Sequence, residues 1–135
     1  MFKKKVATII LNRNLPIPTN NLYEHLKKYD EYYSDIFVVE SGSDHNNLSK
    51  YCNWHANSEE VMANGLRYSR GMNYGLVKLL EENKFDDYEA FFLLCNDVEL
   101  PNSSSLSPLL ELFNKFPRLG LVSPCSQNWG ELSLL

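Results

Sequence analysis

The sequence lacks any apolar stretch near the ~20 residues that a bilayer-crossing helix needs. Its longest runs, Val6 to Leu11 (interrupted by Thr8) and Ala90 to Cys95, are short. The N-terminus carries charge, but it has no apolar signal-peptide region of sufficient length and no small-residue cleavage site. The expected location is cytoplasmic, free or peripheral at a membrane. An excess of positive charge is also missing: 13 basic residues stand against 17 acidic ones, for a net charge of −4. A nucleic-acid partner gripped through its phosphates requires a basic face, so none is expected. The only basic run, Lys3-Lys4-Lys5, reads as a solubilising lead-in or as an interaction tail.

Cysteine is scarce. Cys52, Cys95 and Cys125 are odd in number and widely spaced, so they form no disulfide framework, which fits a reducing compartment. Cys52 and His55 share a short C-x-x-H spacing, yet no second pair completes a zinc site. No Gly-x-Ser-x-Gly elbow and no Walker loop is present. Repeats, low-complexity segments and linkers are absent as well.

What remains is an ordinary globular balance, 44% hydrophobic over 135 residues, which predicts one domain over 1–135 burying roughly 68% of its unfolded surface. Val6 to Leu11, Ile36 to Glu40 and Ala90 to Cys95 are near-continuous apolar runs, the mark of strands buried on both faces of a parallel sheet. Glu60 to Ala63 reads as a short third strand, and Leu119 to Ser123 as a fifth. Pro16 and Pro18 are taken to exclude helix, so the first helix is expected from an Asn21 cap, with Leu22, Leu26, Tyr29 and Tyr33 on its apolar face. A short helix over Asn47 to Tyr51, a longer one from Arg70 to Glu82 and another capped by Ser107 with Pro108 behind it complete the pattern. Alternating strands and helices predict an α/β fold: three α/β/α layers around a mostly parallel, Rossmann-like sheet.

In such sheets ligands bind beyond the carboxyl ends of the strands. Three loops there turn abruptly polar: Asn12 to Asn14, Glu40 to Asp44 and Asn96 to Glu99. Glu40 is a carboxylate at a strand end, able to accept from a base N–H or a ribose hydroxyl, and Gly42 lets backbone approach a ligand. The alternative is a plain turn with Ser43 or Asp44 capping a helix. Asp97 fits a hard divalent cation, which takes one or two carboxylates alongside phosphates and water; the alternative is a solvated acidic turn. Tyr68 to Leu76 sets Gly71, Asn73 and Gly75 near a helix start, where free N–H groups suit a diphosphate but where glycine equally serves close helix–strand packing. Cys95 reads as a core residue rather than a nucleophile.

These segments, in this order, resemble family-2 glycosyltransferases of the GT-A fold, in their rhamnosyltransferase-like branch. The matching motifs are Ile10-Leu11-Asn12-Arg13-Asn14, Val38 to Ser43, Tyr68 to Leu76, and Leu93-Leu94-Cys95-Asn96-Asp97-Val98-Glu99-Leu100; Gly120 to Pro124 is similar too, and the resemblance spans about residues 5–127. It implies a nucleotide-diphosphate-sugar donor and a saccharide or lipid-linked acceptor whose hydroxyl attacks the anomeric carbon with inversion. Asn14 and Glu40 would line the nucleoside pocket, and Ser41, Gly42 and Ser43 would shape its wall. Gly71, Asn73 and Asn96 would complete the nucleotide site. Asp97 would hold Mg²⁺ or Mn²⁺ against the diphosphate, the Lewis-acid role.

Two departures stand out. Glu40 and Ser41 replace the usual aspartate pair, and Cys95 occupies the first acidic position of the metal motif, where a thiol is a poor ligand for a hard cation. No residue matches the family's catalytic base. The expectation is therefore the donor-binding half of a transferase, truncated on its acceptor side; the alternative is a catalytically incomplete binding or interaction module. An exposed sheet edge would then favour a homo-oligomer. A receiver-like domain is disfavoured, because Asn12 to Asn14 and Leu119 to Pro124 supply neither its acidic cluster nor its lysine.

Overall fold

The computed structural model of the chain describes residues 5–124; Lys3, Lys4 and Cys125 lie outside them. Strand β1 is Val6–Asn12, β2 is Ser34–Ser41, β3 is Cys52–Ala56 and β4 is Ala90–Cys95. They form one sheet in the order β3-β2-β1-β4, with every pairing parallel. Helix α1 (Pro16–Asp30) covers one face and α3 (Tyr68–Glu81) the other, giving three α/β/α layers; α2 (Glu59–Asn64) and α4 (Leu106–Lys115) complete the set.

Alternation along the strands divides the core in two. Ala7, Ile9, Phe37 and Val39 pack with Trp54 beneath Met72 and Leu79 of α3. Ile10, Ile36, Val38 and Leu94 pack beneath Leu22 and Leu26 of α1. Leu26 and Leu79 are fully buried, each contributing about 1.5–3 kcal/mol of apolar transfer. Gly71 and Gly75, one turn apart, let α3 settle onto the sheet: a Cβ at Gly71 would stand 2.4 Å from Leu11 Cδ1, and one at Gly75 would stand 3.0 Å from Ile9 Cγ2.

Several expected elements differ. Helix α1 begins at Pro16, because prolines in a first turn remove only N–H groups that have no intrahelical partner; Asn21 lies inside the helix. The third strand is Cys52–Ala56, whereas Glu60 to Ala63 is helical within α2, its N-cap Ser58 accepting from Val61 N. The helix expected over Asn47 to Tyr51 does not form; a single 3-10 turn, His45–Asn47, ends where it would begin. Residues Leu119 to Ser123 form no strand, and Leu121 is 85% exposed; apolar composition does not make a strand without a backbone partner.

The last helix is held by a residue far away in sequence. Asp30, fully buried at the end of α1, accepts from Ser104 Oγ, Ser105 N and Leu106 N. It thus caps α4, which starts at Leu106 with Ser105 rather than Ser107 at its N-cap. No helix among the described residues is long and apolar enough to cross a membrane.

Candidate functional site: a polar row at the carboxyl edge of the sheet

Ile10 pairs with Val38 on one side and with Leu94 on the other. One pleat further along, the same three strands present Asn12, Glu40 and, just past the last paired residue of β4, Asn96. Because the pleat repeats every two residues, these side chains share the α1 face with the apolar row behind them. The apolar layer thus ends in a line of polar groups at the strand ends.

The line is continuous. Asn96 Nδ2 donates to Asn12 Oδ1 at 2.9 Å and to Thr19 Oγ1 of α1 at 3.1 Å. Asn12 Nδ2 donates to Glu40 Oε2 at 2.8 Å. The same oxygen accepts from Ser43 Oγ at 2.6 Å, while Glu40 Oε1 accepts from Ser49 N at 2.7 Å. Glu40 is fully buried, and three donors satisfy its carboxylate, as a buried charge requires. Asn12 Oδ1 also accepts from Leu15 N, fastening the turn into α1.

The β2 loop is locked onto the β1 loop in the same manner. Asn14 adopts a positive φ of 57°, a conformation asparagine tolerates better than most residues. Its N–H donates to Ser43 Oγ at 3.0 Å, and its Oδ1 accepts from Asp44 N at 2.7 Å and from Asn47 Nδ2 at 3.5 Å. Gly42 has φ +69° and lies under α2, its N–H donating to Ala56 O at 2.9 Å. Ser41 points to the opposite face, where its hydroxyl donates to Leu66 O. Ser43 is buried and Asp44 is exposed.

Asp97 is exposed and follows Asn96 directly. Glu40 at the end of β2 and Asp97 in the turn after β4 lie at the same edge of the sheet, past the two strands that flank β1. His25 of α1 bonds through Nε2 with Pro101 O at 2.9 Å, fixing the far end of the Asp97 loop. Burial pushes the Cys95 thiol up, and the charge of Asp97 adds to it, so Cys95 meets the site as a neutral thiol. A neutral thiol is a poor ligand for a hard cation, so a cation at Asp97 would need further oxygens to fill its shell. No group of three His, Cys, Asp or Glu side chains gathers into a metal cluster among the described residues.

The remaining candidates lie on α3. Gly71 is buried against Leu11, and its N–H is committed to Arg67 O at 2.8 Å. Asn73 is exposed. Tyr68, the first residue of α3, donates its hydroxyl to Leu93 O at 3.4 Å and so bends over β4. The structure thus gathers Asn14, Glu40, Gly42, Ser43 and Asn96 at one edge with Asp97 beside them. It turns Ser41 to the other face and gives Gly71 a packing contact.

Thr19 and Ser49 belong to the row but carry no sequence signal. Thr19 acts from within the helix that the prolines seemed to forbid, and Ser49 contributes only a backbone N–H. Asn12, in the sequence only the first residue of the polar loop after β1, is brought level with Glu40 by the pairing of β1 with β2. The chain matches no family model, no curated protein and no solved structure.

Proposed function

We propose that this chain binds a nucleotide-diphosphate sugar at the carboxyl edge of its sheet, as the donor half of a metal-assisted, inverting glycosyltransferase. The observation that carries this reading is the convergence of three strand-end loops on one hydrogen-bonded row, Asn96–Asn12–Glu40–Ser43. In the order β3-β2-β1-β4, the chain leaves β1 toward β2 and later returns to the far side of β1 as β4. Loops diverge at such a switch in strand order, opening a crevice for ligand. Asp97, exposed just past β4, would share a divalent cation with the diphosphate there. That cation would offset the charge that builds on the departing nucleoside diphosphate. In the transfer, the acceptor hydroxyl oxygen bonds to the anomeric carbon as the bond to the diphosphate oxygen breaks, and the hydroxyl proton passes to a carboxylate base that is not among the residues gathered here. The neutral Cys95 thiol in the metal motif favours a second reading, a nucleotide-sugar-binding module without turnover.

Thermal unfolding with uridine or deoxythymidine diphosphate and Mn²⁺ tests donor binding. Ligand at 100 times its dissociation constant adds roughly 2.7 kcal/mol of stability, and Asp97→Ala removes the Mn²⁺-dependent part. No stabilisation by any nucleoside diphosphate, with Mn²⁺ or Mg²⁺, refutes the proposal. Donor hydrolysis that disappears in Asp97→Ala excludes the module reading.

A further inference from the structure

Glu40 cannot meet a ligand as an open acceptor: it is fully buried, and both carboxylate oxygens are engaged within the protein. Four residues further along the same loop, Asp44 is exposed. Its position at the start of the 3-10 turn His45–Asn47 would ordinarily use the carboxylate as a cap, but the Asp44 side chain makes no cap hydrogen bond. Its backbone is nonetheless fixed, with Asp44 N held by Asn14 Oδ1 at 2.7 Å and Asp44 O accepting from Asn47 N at 2.8 Å. A rigid backbone therefore presents an uncommitted carboxylate beside the β1 loop. The Asn14 side-chain oxygen is consumed by that scaffold, which leaves its NH₂ group as the donor that Asn14 can offer.

From this, and resting on the donor-binding reading above, we propose that Asp44, not Glu40, is the carboxylate that contacts the nucleoside, accepting from its base N–H or ribose hydroxyl. Glu40 is a positioning residue. It holds the Asn12–Asn96 relay on one side and the Ser43–Ser49 segment on the other, so the Asp97 loop and the Asp44 loop are set by one buried charge. Gln at position 40 keeps the shape but turns an NH₂ toward donors. Either Ser49 N or the Asn12–Ser43 pair then loses its acceptor.

The test compares uridine diphosphate with inorganic pyrophosphate, both with Mn²⁺, on the full chain. Asp44→Ala should weaken uridine diphosphate about tenfold, the value of a hydrogen bond to a charged group. It should leave pyrophosphate affinity and the ligand-free melting temperature unchanged. Glu40→Gln should lower the ligand-free melting temperature. It should also shift the Ser49 amide and Asn96 side-chain amide resonances, which Asp44→Ala leaves in place. Uridine diphosphate affinity unaffected by Asp44→Ala overturns the assignment while leaving donor binding intact. So does a Glu40→Gln protein with native melting and native resonances that binds the nucleotide weakly. Wild-type protein that binds no nucleoside diphosphate refutes the donor reading itself, and the Asp44 assignment with it.

Discussion

Replacing Gly42 by alanine should be among the most damaging single-methyl changes in the chain. Gly42 sits at φ +69°, and a Cβ built there would lie 2.0 Å from the carbonyl oxygen of Val61 and 2.7 Å from its carbon. A left-handed backbone costs a non-glycine residue about 1–2 kcal/mol. The clash adds to that cost, because the obstacle is backbone rather than the tip of a flexible side chain. Relieving it means moving α2 away from β2 by about 1 Å, an overpacking cost of roughly 1–3 kcal/mol. Val61 O also accepts from Gly65 N at 2.7 Å at the end of α2, so the displacement strains that helix terminus as well. Together these effects predict a loss of about 2–5 kcal/mol. Urea unfolding of Gly42→Ala beside Gly120→Ala provides the measurement. Nothing lies within 4 Å of a Cβ at Gly120, so that variant should stay within about 0.5 kcal/mol of wild type. A Gly42→Ala loss below about 1 kcal/mol, with an unchanged denaturant slope, would show that the Glu40–Asp44 turn is not held against α2 as described.

Two further outcomes follow from a buried carboxylate and a half-buried thiol. Asp30→Ala removes the three bonds that cap α4 and should cost about 2 kcal/mol. Amide hydrogen exchange should quicken over residues 106–115 first, and uniform acceleration across the sheet would contradict a local capping role. Burial, with the nearby charge of Glu40 second, pushes the Cys52 thiol up to about 11. At pH 8 its alkylation should therefore run roughly 100-fold slower than that of a free thiol. The sign for stability follows the same shift. The contribution of Cys52 is intact below the ordinary thiol range and is lost as pH rises from there toward about 11. Rapid labelling of folded protein at pH 8 would show that the thiol is not shielded.

Much of the fold was legible because it rests on local rules. The apolar runs of β1, β2 and β4 announce strands; β1 and β2 are covered on both faces, whereas β4 ends the sheet of the described residues and is only half-buried apart from Leu94. Their abrupt polar ends mark the carboxyl edge. The level of Asn12 with Glu40, by contrast, comes from the pairing of β1 with β2. Local rules failed where pairing or capping is supplied from elsewhere. Cys52–Ala56 lacks a strong strand signature but gains backbone partners along β2. Leu119 to Ser123 has the composition and finds no partner among the described residues. Pro16 and Pro18 forbid a helix interior but not a helix start.

The same division runs through the site. Sequence determined that polar loops gather at the carboxyl edge and that Asp97 follows an apolar strand; that this strand is only half-buried, at the end of the described sheet, was the structure's to decide. Only the tertiary structure decided that the Glu40 carboxylate turns inward to meet Ser49 and Ser43, leaving Asp44 outside. The pleat sets which face a strand-end side chain takes, but whether it is engaged within the protein there depends on donors brought from other segments, here Ser49 N and Asn12 Nδ2. No pattern within the strand itself encodes where those donors will stand.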